Sequence, residues 1–119
     1  MSNVRVEAIE KERVDAWFRE WEAMQPKIEE LHTARNKAVK EHMLEAITLY
    51  ENFVLHASNT TLTAIGANSE LICMPINGVE RFLFIKAKPG QFACYRQLDE
   101  LFKETKKRMA RLRAQAKKA

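Results

Sequence analysis

Hydrophobic residues in the first part of the chain recur every three or four positions, with charged residues between them. This spacing predicts an amphipathic helix over residues 4–24. Pro26 then interrupts the pattern, because proline lacks an amide hydrogen and its ring clashes with the carbonyl group four residues earlier. Pro26 therefore either begins a second helix or kinks one long helix, and both interpretations stay open. The apolar positions are Val6, Ile9, Val14, Trp17, Phe18, Trp21 and Met24.

The same spacing resumes after Pro26 and continues to about residue 57. We therefore expect residues 4–57 to be helical, with a break or kink at Pro26. The middle of this region, residues 32–42, is polar and holds few large hydrophobic side chains, so we expect it to be exposed on most sides or paired with only one neighbour. Residues 58–60 favour caps and turns and end the region.

The pattern changes to alternation between residues 61 and 86. It predicts an antiparallel meander of three short strands, at 61–65, 70–76 and 79–86. Asn77-Gly78, a strong signal for a two-residue hairpin turn, separates the last two strands. The apolar run at 82–85 would point to alternate faces of a strand, so both faces of the meander need cover.

The final element is predicted to be a basic helix over residues 91–118, after the break at Lys88-Pro89-Gly90. Its apolar residues form a seam that suits packing along another helix. The seam consists of Tyr95, Leu98, Phe102, Thr105, Met109, Leu112 and Ala116.

The predicted fold is therefore α+β, with long amphipathic helices flanking a small antiparallel three-stranded meander in the order α-α-β-β-β-α. We expect the helices to pair as a hairpin or a coiled coil. A length of 119 residues is typical of one domain, which would span residues 1–119. The low count of 3 Gly and 3 Pro favours long elements.

Long helices in so short a chain need a partner along their length. The last helix would be about 42 Å long at 1.5 Å per residue, whereas a compact domain of this size has a radius of gyration of about 13–14 Å. The aromatic stripe on the first helix and the two-faced apolar strand also need cover, so we predict a homodimer. Its expected interface residues are Trp17, Phe18, Trp21, Leu83 and Ile85.

The net charge of +4 is unevenly distributed along the chain. Residues 1–51 carry an excess of three acidic groups, residues 52–102 are balanced, and residues 103–119 carry eight basic groups against one acidic group. Such a local excess suits contact with an acidic partner, although basic residues at a helix end also interact favourably with the helix dipole. The basic residues are Lys103, Lys106, Lys107, Arg108, Arg111, Arg113, Lys117 and Lys118.

The spacing of the potentially reactive residues argues against catalysis. The three histidines, His32, His42 and His56, are too far apart to share a metal ion on a helix. Cys73 and Cys94 lack the close second cysteine of a zinc site. Gly-rich phosphate loops and converging carboxylate pairs are also missing. We therefore expect no enzymatic activity, catalytic residue, metal, cofactor or small-molecule substrate.

The chain begins with a charge-rich segment that does not fit a signal peptide, and it holds no apolar run of the ~20 residues that cross a bilayer. We therefore expect no membrane contact, a cytoplasmic location and reduced cysteines.

Two functional hypotheses remain. The first is a small basic protein whose cationic C-terminal helix contacts nucleic acid or a nucleic-acid-processing complex. The second is an inhibitor or adaptor that occupies the surface of a partner protein through its long amphipathic helices, without touching nucleic acid. The sequence does not identify the partner, decide between DNA and RNA, or give the number of subunits and the direction of helix pairing.

Overall fold

The computed structural model describes residues 4–118, and it describes side chains as far as residue 117. Within that range the chain is helical and contains no strand. The molecule is elongated, with extents of 50 × 29 × 20 Å. None of the described helices is long and apolar enough to cross a membrane. A 3₁₀ helix at Val6–Ile9 precedes α1 (Lys11–Thr33), α2 (Val39–Ala57), α3 (Gly78–Ala87) and α4 (Phe92–Lys118).

The predicted α+β fold with a three-stranded meander is wrong. Residues 61–77 form turns and irregular backbone, and the whole of the predicted third strand, residues 79–86, lies in α3. Burial in α3 follows a helical period, because Phe82 and Ile85 are fully buried whereas Phe84 is 49% exposed. A short run of apolar residues fits a strand or a buried helix equally well, so the sequence pattern could not separate the two.

The Asn77-Gly78 pair does not form a hairpin turn. Asn77 has the left-handed backbone conformation that such a turn requires, with φ of 59°, but it is the residue immediately before α3. Its carbonyl accepts the first helical hydrogen bond, from the amide of Arg81. Asparagine adopts this conformation more readily than most residues, and here it turns the chain into a helix.

The helical region breaks at residues 34–38 rather than at Pro26. Helix α1 continues through Pro26, which is exposed, so the missing amide hydrogen bond lies on the outer face of the helix. The predicted continuous run from 27 to 57 is in fact the end of α1, a short loop and α2.

The loop after α1 is a Schellman motif, a common way of ending a helix. The amide of Arg35 donates to the carbonyl of His32 (3.0 Å), and the amide of Asn36 donates to the carbonyl of Leu31 (2.9 Å). Arg35 has φ of 54°, a conformation that glycine usually supplies at this position. The break therefore carried none of the glycine or proline signals that mark most loops.

The described residues share one hydrophobic core, between α1, α2 and α4, with α3 packed against α4. Trp21 of α1 stacks on Phe102 of α4 with ring centroids 4.6 Å apart. The hydroxyl groups of Tyr50 and Thr105 form a buried hydrogen bond of 2.7 Å between α2 and α4. The aromatic stripe of α1 is thus covered within a single chain.

The irregular segment between α2 and α3 is tethered to the helices by polar side chains. The carboxylate of Glu51, a buried residue of α2, accepts a hydrogen bond of 2.9 Å from the amide of Ile65. Arg108 of α4 donates to the carbonyl of Ile72. These bonds satisfy backbone groups that no regular element pairs.

Candidate cationic binding surface

The apolar seam of α4 determines which way its basic residues point. Thr105, Met109 and Leu112 are buried against the other helices. Successive residues of a helix point about 100° apart, so Lys107 and Arg111 lie on the opposite side and are exposed.

Two basic residues on the α1 side of α4 form ionic contacts within the chain. The ammonium group of Lys103 lies 2.9 Å from the carboxylate of Asp99. That of Lys106 lies 3.8 Å from the carboxylate of Asp15 and 4.4 Å from the ring centroid of Phe18. Both lysines are only partly enclosed and still face solvent, so neither is removed from a binding surface.

Two of the arginines of α4 hold backbone groups. Arg108 donates to the carbonyl of Ile72, as described above. Arg113 donates a hydrogen bond of 2.8 Å to the carbonyl of Ile9 in the 3₁₀ helix. These two arginines therefore stabilise the fold, in addition to any contact that they make with a ligand.

Three of the predicted basic residues are exposed and form no ion pair with the described residues. Lys107, Arg111 and Lys117 are exposed, and no ion pair among the described residues involves them. The side chain of Lys118 lies outside the described residues. Of the eight basic residues singled out in the sequence, these three are the most available to a ligand.

A groove of about 690 Å³ runs between the first half of α1 and the second half of α4. Phe18 contributes an apolar wall to it. Six basic and two acidic side chains line the groove, which gives it a formal excess of four positive charges. The acidic residues are Asp15 and Glu22. The basic residues are Lys11, Arg19, Lys103, Lys106, Lys107 and Arg113.

The groove and the exposed face of α4 together form what we call the cationic surface. It comprises the six basic groove residues with Arg111 and Lys117. Sequence patterns did not reveal that Lys11 and Arg19 belong to it, since they join it only because α1 packs beside α4.

The hydrogen bond from Lys11 (2.8 Å) lowers the pKa of Asp15, and the charges of Lys106 and Arg19 act in the same direction.

A polar network fixes α1 against α4 and so shapes the groove. Trp21 and Gln25 both donate to one carboxylate oxygen of Asp99, at 3.0 and 3.1 Å. The hydroxyl group of Tyr95 donates to Glu29 at 2.6 Å. Burial and the neighbouring carboxylate of Glu29 raise the pKa of Tyr95, which keeps this hydroxyl group a donor.

Most of the residues predicted for a dimer interface pack in the core of the single chain. Trp17, Trp21 and Ile85 are buried in the core, with exposures of 3%, 0% and 0%. Leu83 is half-buried against the same core, and Phe18 is covered on one side by Lys106. The homodimer stays a prediction, but these residues no longer provide the reason for it.

The side chains that could carry chemistry do not converge. Among the described residues no group of three or more His, Cys, Asp or Glu side chains is placed to hold a metal ion. Cys73 and Cys94 are buried free thiols, and burial raises the pKa of both. A buried thiol with a raised pKa is a poor nucleophile.

Comparison with known proteins places the chain in a family. The model of the YpoC-like protein family matches residues 11–117, from the start of α1 almost to the end of α4. The chain therefore belongs to the YpoC-like family. Neither the curated proteins nor the solved structures include a significant match.

Proposed function

We propose that this member of the YpoC-like family binds nucleic acid through the cationic surface of α1 and α4, and that it acts as a binding protein rather than an enzyme. The observation that supports this proposal is the convergence of basic side chains from two helices on one groove. Phosphate groups are the natural ligands of such a surface, because neutralising them releases condensed counterions.

The chemistry of the surface favours contact with the backbone over reading of bases. Its polar contacts would come from lysine and arginine side chains, which position a protein on nucleic acid without carrying sequence information. After Phe102, the described part of α4 holds no aromatic residue on which bases could stack. We therefore expect little sequence preference.

The length of the surface sets the scale of the interaction. From Lys103 to Lys117 α4 rises by about 21 Å, at 1.5 Å per residue. That length matches about six base pairs of duplex at 3.4 Å each. If five to eight phosphates are neutralised, a plot of log affinity against log salt should have a slope of about −4 to −7.

Fluorescence anisotropy with labelled duplex DNA, single-stranded DNA and RNA, between about 50 and 200 mM salt, tests the proposal. The test variant replaces Lys107, Arg111 and Lys117 with glutamine, because these exposed residues make no assigned contact that the fold needs. The triple substitution should make the salt slope shallower by about 2–3, at roughly 0.9 for each phosphate that is no longer neutralised.

A matched control removes three exposed charges from elsewhere, by replacing Lys27, Lys88 and Arg96 with glutamine. This variant has the same net charge as the test variant, so it should retain most of the affinity and the slope. Equal losses in both variants would show that net charge alone is responsible. Absence of binding to all three nucleic acids at about 50 mM salt would overturn the proposal.

An acidic segment of a partner protein is the second candidate ligand. The observation that favours it is the apolar wall at Phe18 beside the basic rim, since nucleic-acid backbone makes little use of an apolar surface. A partner recovered by pull-down that survives nuclease treatment supports this candidate, and one that disappears supports nucleic acid.

We further propose a cytoplasmic location and a homodimer, which would present two cationic surfaces to one nucleic acid. Light scattering at high micromolar concentration tests the dimer, and a single-chain mass would contradict it.

A further inference from the structure

We propose that a second cationic pocket, at the other end of α1, binds a phosphate monoester group. This loop pocket has a volume of about 500 Å³ and lies where α1 ends, α2 begins and the chain approaches α4. It lies about 25 Å along α1 from Phe18 of the groove, because 17 residues separate Phe18 from Arg35 at 1.5 Å each. The two sites are therefore separate, and this proposal does not depend on the proposed function.

Every charged side chain that lines the loop pocket is basic. Arg35, Lys37 and Lys40 line it, and no acidic side chain does. All three are exposed, and no ion pair among the described residues involves them. A nearby carboxylate, that of Glu29, is occupied by the hydrogen bond from Tyr95.

The backbone of the loop holds these basic residues in place. The Schellman motif fixes Arg35, and the side chain of Asn36 accepts a hydrogen bond of 2.9 Å from the amide of Ala38. The Schellman motif satisfies the carbonyl groups of Leu31 and His32 at the end of α1, which reduces their repulsion of an anion. The pocket also lies at the N-terminus of the 19-residue helix α2, where the helix dipole favours negative charge. The first amide groups of α2 already donate to carbonyl groups of the loop, so the basic side chains would make the contacts with the phosphate.

The size and lining of the pocket indicate a phosphate group with an organic substituent. Buried Leu31 and Val39 provide apolar surface beside the three basic residues. His32 also lines the pocket. Its buried Nε2 atom has no hydrogen-bond partner among the described residues. A phosphate dianion suits a cluster of guanidinium and ammonium groups better than a single carboxylate does. Either a free phosphorylated metabolite or a phosphorylated strand end supplies that group.

Titration of the ¹⁵N-labelled full chain, followed by amide NMR shifts, tests the proposal. The probes are inorganic phosphate, adenosine monophosphate, and one short oligonucleotide with either a 5′-phosphate or a 5′-hydroxyl group, with sodium chloride as the control for ionic strength. We expect saturable shifts at residues 32–40 and 90, with a Kd of about 1 mM or tighter for a monoester.

The informative variant is Arg35→Gly, because glycine is favoured at a left-handed position and so removes the guanidinium group without endangering the fold. It should weaken monoester binding by about tenfold, the effect of one charge-assisted contact. A Lys37→Gln and Lys40→Gln double variant should weaken it at least as much. Replacing Lys107 and Arg111 with glutamine, as the control at the distant surface, should leave the Kd for adenosine monophosphate unchanged.

The results separate the two sources of the phosphate. Saturation by the mononucleotide assigns the pocket to a free metabolite. Saturation only by the 5′-phosphorylated strand, and not by the 5′-hydroxyl strand, assigns it to a strand end. The proposal is overturned if no probe gives saturable shifts at residues 32–40 and 90, if inorganic phosphate and adenosine monophosphate shift only the groove of α1 and α4, or if Arg35→Gly binds adenosine monophosphate as well as the wild type does.

Discussion

Arg35 occupies a position where the backbone penalises every residue with a side chain. Its φ of 54° brings Cβ close to the following carbonyl oxygen, which costs about 1–2 kcal/mol for an ordinary residue. Glycine avoids that clash but loses about 0.5–1 kcal/mol of additional backbone entropy on folding. The substitution Arg35→Gly should therefore stabilise the protein by about 0.5–1 kcal/mol.

The contacts of Arg35 do not offset this gain. Its side chain is exposed and forms no hydrogen bond or ion pair among the described residues. With an unfolding entropy of about 2.1 cal/mol/K per residue, the stabilisation corresponds to a rise in Tm of about 2–4 °C for 119 residues. Urea unfolding followed by circular dichroism measures the free energy directly, and the m-value shows whether the unfolded state has changed.

Two further variants isolate the cause. Arg35→Ala removes the same side chain but keeps Cβ, so it should change stability little. Asn59→Gly alters a residue after α2 with φ of 53°, and it should gain less, because the left-handed conformation is less unfavourable for asparagine than for arginine. An Arg35→Gly protein no more stable than Arg35→Ala would refute the argument from backbone strain.

Two other predictions concern the core and acid stability. Tyr50→Phe leaves the buried hydroxyl group of Thr105 without its partner and should lower the free energy of unfolding by about 1–3 kcal/mol. Adding Thr105→Val should recover part of that loss. Additive losses of the two substitutions in urea unfolding would contradict this coupling. Arg81 hydrogen-bonds Glu104 at 2.7 Å and lowers the pKa of that carboxyl group below its ordinary value of 4.5. Because the folded pKa is the lower one, the ion pair contributes stability above the unfolded pKa and loses it as the pH falls through the folded pKa. Glu104→Gln should therefore lower Tm near neutral pH, and its Tm should approach that of the wild type in acid. The control Glu20→Gln, which alters an exposed carboxylate, should lower Tm much less. A difference in Tm between Glu104→Gln and the wild type that stays constant from neutral pH to acid would argue against the ion pair.

The long helices could be predicted from sequence because each carries an apolar seam over many turns. Helix α4 spans Phe92–Lys118, close to the predicted 91–118, and its seam residues from Tyr95 to Leu112 are buried. Helix α3 could not be predicted in the same way. Over only ten residues, its apolar run and the Asn77-Gly78 pair at its start fitted a strand after a hairpin equally well.

The candidate site was only partly visible in the sequence for a different reason. The basic residues of α4 were evident from composition, but their partners depend on tertiary packing. Arg108 and Arg113 contact carbonyl groups 36 and 104 positions away in the chain, which no local pattern indicates. The contribution of Arg19 to the groove depends in the same way on the pairing of α1 with α4.

The turn at Gly66–Ser69 offers a practical route for attaching a reporter. The amide of Ser69 donates to the carbonyl of Gly66 (3.0 Å), and the residues between them are exposed. Short exposed turns of small residues tolerate inserted sequence best. Neither the groove nor the loop pocket is lined by this turn. An epitope or fluorophore inserted there would allow the protein to be localised in cells and captured with its ligands, while both termini and both pockets stay untouched.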